Sequence, residues 1–214
     1  KKKINKNSKI LDIGCGRGKI FGSLSRKLKL INKPIGVDPV PHKDIDKSID
    51  FRNHDIFKFF KLNKIQFDLI MIKQSLHLFN NNERIQLIKI CKKNLRQNGV
   101  LIIFSLVNKD NEIPCFKLMK QKLNKSLEKD LRIMISTRKL LHCYQIDKFK
   151  FKVSITKKKY IQMLKQRYIS SLLNLDKNQI NEGINEIKKL FNKKIDFLDI
   201  LISTKYIKKN KIIN

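Results

Sequence analysis

The chain has 214 residues, enough for one ordinary domain with a real core, and no run of eighteen apolar residues that would make a membrane-spanning helix. Its net charge of +31 would ordinarily point to a polyanionic partner. That inference is weakened because Ala and Trp are absent while Lys, Ile and Asn abound, as in an A/T-rich genome. Lys also outnumbers Arg about five to one, although Arg is the better ligand for phosphate and guanine.

A solvated lysine surface follows from this reading, with nucleic acid disfavoured as a partner. The opening KKKINKNSK lacks the apolar stretch of a secretory signal, so a soluble, cytoplasmic protein is expected. Cys15, Cys91, Cys115 and Cys143 lie far apart, with no C-x-x-C pair and no His at zinc-ligand spacing. Reduced structural thiols and no metal are expected.

Residues 9–13 (KILDI) are a short apolar run that ends at a glycine cluster, a first strand. Ile20, Phe21, Leu24, Leu28 and Ile31 then recur at helical spacing. Residues 35–38 form a second strand stopped by Pro39 and Pro41, and a weak third strand falls at 49–52, before the aromatic segment IFKFFKL. FDLIMI (67–72) reads as a buried fourth strand. Asn80 to Asn82 are N-cap candidates for a helix carrying Ile85, Ile88, Cys91 and Leu95, with Gly99 as its stop, and VLIIFSLV (100–107) is a fifth strand.

In the second half, 117–131 looks helical, 149–155 alternates like a strand, 158–173 and 179–191 look like amphipathic helices, and 197–206 reads as the last strand. Alternating strands and helices give the expected fold: an α/β, doubly wound, mostly parallel sheet, with a helical insertion near the C-terminus forming a cap. One domain is expected over 1–214, with a cofactor-binding core at 9–107, a substrate region at 110–192 and a final strand at 196–207.

The first strand runs directly into Asp12-Ile13-Gly14-Cys15-Gly16-Arg17-Gly18. A turn without side chains at a helix N-terminus lets backbone approach a ligand closely. The dinucleotide pattern G-x-G-x-x-G is not met, because the third glycine falls at 18 rather than 19.

D-x-G-x-G-x-G, followed by Asp38 twenty residues after Gly18 and by Asp55 in HDIF, resembles the class I, Rossmann-like methyltransferases that use S-adenosylmethionine. FDLI followed by QSLHLF resembles that family's fourth-strand motif, and LRQNGVL is similar to the stretch leading into its fifth strand, with Gln97 and Asn98 departing from the usual Pro-Gly. Within the class the likeness is to small-molecule enzymes such as the trans-aconitate and biotin-pathway carboxyl methyltransferases. The resemblance covers residues 9–107 well and the C-terminal region loosely.

The resemblance implies S-adenosylmethionine as cofactor, bound by Asp12, Gly14, Cys15, Gly16, Gly18, Asp38, Asp55, Ile56 and Gln74. Asp38 would accept from the ribose hydroxyls, and Asp55 would hold the adenine amino group. The expected activity is methyl transfer to an oxygen or nitrogen of a small acceptor. His77, a few residues beyond the fourth strand, is the candidate general base.

With only a short segment ahead of the first strand, closure over the acceptor is expected from 110–192, with Tyr160, Arg167 and Tyr168 as candidate pocket residues. No Asn-Pro-Pro-Tyr-like turn follows the fourth strand, and Pro114-Cys115 falls after the fifth. Nucleobase chemistry is thereby disfavoured. An RNA methyltransferase using the lysine surface and an inactive cofactor-binding partner subunit are the competing readings.

Overall fold

The structure is a computed structural model that describes residues 4–209. Five strands, β1 (Ile10–Ile13), β2 (Ile35–Val37), β3 (Asp50–Arg52), β4 (Phe67–Lys73) and β5 (Leu95–Leu106), alternate with helices α1 (Lys19–Leu28), α2 (Ile56–Leu62) and α3 (Asn81–Asn94). The rest comprises α4 (Lys117–Leu141), β6 (Gln145–Thr156), α5 (Lys157–Lys165), α6 (Lys177–Leu190) and β7 (Lys194–Ile207).

All seven strands join one sheet in the order β3-β2-β1-β4-β5-β7-β6. The pairs β1·β2, β2·β3, β1·β4 and β4·β5 are parallel. Strand β7 runs the other way. The Asn98 N–H donates to the Lys208 carbonyl at 2.9 Å, whereas Val107, just past β5, donates to Ile200 at 3.1 Å. The partner's number falls as that of β5 rises, which is antiparallel register. The expected doubly wound α/β architecture is what the chain adopts.

The chain divides into two compact units. The first gathers residues up to Ser105, Ile133–Asp147 and the stretch from Ser203. In it β4 shows why these apolar runs are strands: Ile70 and Ile72 enter one hydrophobic cluster with Leu11, Ile13 and Leu101, while Leu69 and Met71 enter another with Ile10, Phe21 and Ile49. Side chains alternate across a sheet covered on both faces, so the run is apolar throughout. The second unit holds Leu106–Arg132 and Lys148–Ile202. Its own core joins Phe116 and Met119 to Tyr160, Leu164, Leu172, Ile180, Ile184 and Ile195.

Several boundaries differ from those expected. IFKFFKL is α2, started by Asp55, whose side chain accepts from the N–H groups of Phe57 and Lys58. Gly99 is not the stop of α3: that helix ends at Asn94 and Leu95 already pairs with Phe67 in β5, with a register shift before Leu69 pairs with Val100. Helix α4 continues to Leu141 because Ile133, Met134 and Leu141 are buried in turn. The stretch 158–173 is not one helix. It stops after Lys165 and resumes only as a short 3-10 turn at Ser170–Leu172, because Arg167 takes a left-handed φ of 49°. Strand β6 is exposed over most of its length and ends the strand order.

Candidate active site

The C-terminal end of β1 opens into a turn built from three glycines, Gly14, Gly16 and Gly18, with φ of 69°, 53° and 68°. Val37 at the end of β2 anchors it, its carbonyl accepting from the Gly14 and Cys15 N–H groups at 2.9 and 3.3 Å. Two of the glycines are required for different reasons. A Cβ on Gly14 would lie 2.6 Å from the Ser75 side chain, and Ser75 is itself fixed by donating to the Ile13 carbonyl at 3.0 Å. A Cβ on Gly16 would meet nothing within 4 Å. Its left-handed backbone alone requires glycine, and the surface it presents opens onto free space, a cradle that a side chain would fill.

Asp38 closes this cradle. Its Oδ2 accepts from the Gly16 N–H at 2.8 Å and its Oδ1 from the Val40 N–H at 2.9 Å. The carboxylate is therefore held in one orientation, and each oxygen keeps a further lone pair for a ligand hydroxyl. His42 Nε2 stands 3.9 Å from Oδ1. Asn53, past β3, donates to the carbonyls of Asp38 and Pro39 at 3.1 and 3.0 Å, tying the two strand ends together.

Beneath the turn Asp12 is buried, and its carboxyl is pushed up to about 7 by desolvation, against the pull of Lys73 and with a further push from Asp38. The Cys15 thiol is pushed up to about 12, first by burial and then by Asp12 and Asp38. Its sulfur occupies the space a Gly36 Cβ would need, 2.7 Å away. Cys15 therefore shapes the turn as a neutral packing group.

Asp12, Gly14, Cys15, Gly16, Gly18 and Asp38 are thus brought together as one constellation. Gln74, just after β4, takes a left-handed φ of 53° and donates its N–H to the Phe104 carbonyl at 3.0 Å. Its side chain accepts from Lys73 at 3.2 Å. Asp55 is exposed, and both bonds it accepts as the cap of α2 fall on Oδ1. Ile56 is buried in the core beside it. His77 is half-buried in the 3-10 turn Leu76–Leu78, next to Phe79, whose ring meets Phe57 edge-on at 6.1 Å. Sequence reasoning missed Lys73 and Ser75: Ser75 lies inside QSLHLF and Lys73 between FDLIMI and QSLHLF, but nothing local marks Lys73 as the charge opposite Asp12 or Ser75 as the clamp on Gly14.

In the second unit Tyr160 has no exposed surface, and its hydroxyl donates to the Pro114 carbonyl and lies 3.2 Å from that of Tyr168. As placed, Tyr160 is a core residue with no surface to offer an acceptor. Tyr168 is partly exposed, its phenol pushed up to about 12 chiefly by burial. Arg167 donates through Nη2 to the Leu175 carbonyl at 2.8 Å. Its Nε, Ser171 Oγ and Asp199 Oδ1 are buried without hydrogen-bond partners among the described residues, which is costly unless something else supplies them.

Residues 10–99, which hold the turn, Asp38 and β4, match the family described as "Methyltransferase domain". No curated protein sequence matches the chain. Among solved structures the chain is similar to a candidate methyltransferase from an antibiotic biosynthesis pathway of Anabaena variabilis, at 13% identity and a TM-score of 0.56, covering 94% of this chain and 92% of that one. It is also similar to the precorrin-6y C5,15-methyltransferase of Geobacter metallireducens, at 11% identity, TM-score 0.52, and 95% and 82% coverage. A third is the plantazolicin methyltransferase BpumL, solved with a pentazolic desmethyl analogue and SAH, at 15% identity, TM-score 0.50, and 95% and 77% coverage. These likenesses establish a shared fold. The family match covers less than half of the chain, the part that carries the glycine turn, Asp38 and β4, and the solved structures share the chain's fold.

Proposed function

We propose that this protein methylates an oxygen or nitrogen of a small-molecule acceptor, with the cofactor held by the glycine turn and Asp38. The observation that carries the cofactor placement is Gly16: a left-handed glycine facing open space, its N–H bonded to a buried carboxylate at the end of β2. The residues present fit S-adenosylmethionine. Asp38 can accept from two ribose hydroxyls, Asp55 keeps Oδ2 for the adenine amino group, and Asp12 and Gln74 supply polar atoms at the ends of β1 and β4. When bound, the cofactor supplies a methyl group on a sulfonium centre.

The chain's own part is to orient the acceptor, exclude water and, for a hydroxyl, accept a proton. His77 Nδ1 or Nε2 is the candidate for that last task, standing after β4 on the side where ligands sit in an open α/β sheet. In the second unit Tyr168 and Arg167 are the candidate acceptor contacts. The unpartnered Arg167 Nε supports that role, since a polar acceptor group would satisfy it. The QSLHLF segment, similar to that of trans-aconitate and biotin-pathway carboxyl methyltransferases, supports a small acceptor over RNA.

Calorimetry of S-adenosylmethionine binding tests the placement. Removing two charge-assisted bonds in Asp38→Ala is expected to weaken binding by roughly 2–4 kcal/mol. Unchanged affinity would move the cofactor elsewhere. Methylation assays with small carboxylates, hydroxyls and amines against unmodified RNA test the acceptor class, and turnover confined to RNA would reverse it.

A further inference from the structure

We propose that a recess at the C-terminal end of α4 binds a nucleoside monophosphate or a similar phosphate ester of a flat ring. The recess measures about 580 Å3 and is lined by Ile135, Arg138, Lys139, His142 and Tyr144. Two cations and an imidazole line it and no acid does, so an entering oxyanion meets donors and no opposing charge on its walls.

Arg138 is the fixed part. Its Nε donates to Thr204 Oγ1 at 3.1 Å, and Thr204 is fully buried on β7. That bond holds the guanidinium by its inner nitrogen. No other hydrogen bond of the Arg138 side chain occurs among the described residues. The two Nη atoms, the fork suited to a phosphate, are thus available on an already oriented group.

The helix end itself opposes an anion, but by less than one charge-assisted bond returns, so the side chains decide the sign. His142 takes a left-handed φ of 58°, ends the helix and carries the chain on to Tyr144. Ile135 and Tyr144 remain 46% and 41% exposed, apolar surface that a stacked ring would cover.

The full chain, saturated with S-adenosylhomocysteine so that the glycine turn is occupied, is titrated with AMP by calorimetry. One AMP site is expected. Its affinity falls at least about tenfold in Arg138→Gln and in Tyr144→Ala, and Arg138→Lys, which keeps the charge but loses the fork, recovers only part. Tyr144→Ala alters an exposed side chain, so its effect is read on a folded protein. Asp38→Ala leaves AMP binding unchanged. Adenosine alone and inorganic phosphate alone each bind more weakly than AMP.

Equal AMP affinity in wild type, Arg138→Gln and Tyr144→Ala would mark general attraction to a cationic surface and overturn the site. Phosphate binding as tightly as AMP would remove the ring from the proposal. A 5′-phosphorylated oligoribonucleotide that displaces AMP at equal phosphate concentration would reassign the recess to RNA.

Discussion

At Asp12 burial and a neighbouring lysine pull in opposite directions, and burial prevails, leaving the carboxyl titrating at about 7 rather than at its ordinary 3.8. The folded protein therefore holds more protons than the unfolded chain between those values, and stability falls as pH rises across them, by at most on the order of 4 kcal/mol. Asp12→Asn is expected to flatten that slope, read from urea midpoints at several pH values in the window. Ionised Asp12 also favours a cationic ligand, so wild-type affinity for S-adenosylmethionine is expected to rise with pH through about 7, and that of Asp12→Asn to stay level. His77 calls for a kinetic measurement. In His77→Gln, turnover of a hydroxyl acceptor is expected to fall on the order of a hundredfold while cofactor affinity holds. An unchanged rate would assign the proton elsewhere, or point to a carboxylate acceptor that needs no base.

Helix α3 shows what local sequence conveys well. Asn80 accepts from the Glu83 N–H at 3.0 Å and Glu83 accepts from the Asn80 N–H at 2.7 Å, a reciprocal cap. Asn80→Ala is expected to cost about 1 kcal/mol in chemical denaturation without altering cofactor affinity. Such caps, the glycine turn and the unbroken apolar runs of β1, β4 and β5 are short-range signals, so the first half and its glycine turn are legible in the sequence. Helix α2 was not, for an identifiable reason. It spans only Ile56–Leu62, too short for a helical period to emerge from IFKFFKL, and the family resemblance assigns its cap Asp55 to a ligand rather than to a helix. The length of α4 was hidden because its buried stripe passes from Leu127 to Ile133 across exposed charges before resuming. The break at Arg167 was hidden because a left-handed residue that is neither Gly nor Asn leaves no mark in the sequence.

Taken whole, the molecule carries a net charge of +31, yet where that charge falls matters more than its sum. Asp46, pulled down to about 2 by Arg26 and the Ser48 N–H, shows one acid fully engaged by a cation. Most lysines have no such partner to spare, because the chain has 49 Lys and Arg against 18 Asp and Glu. On β6, the strand that ends the sheet, Lys148, Lys150 and Lys152 recur on one side, with Phe149 and Phe151 at the alternate positions, 42% and 52% exposed. An open strand edge invites the same edge of another copy to continue the hydrogen-bond ladder, and alternating aromatics strengthen the invitation. Lined-up lysines refuse it, since joining two such strands would set like charges face to face. Replacing all three by Gln is expected to leave the fold intact and to produce scattering, thioflavin-positive material during storage, where the parent stays clear. A composition set by codon drift would thereby guard the protein against polymerising through its own sheet, and the guard would weaken wherever acetylation or concentrated salt silences those ammonium groups.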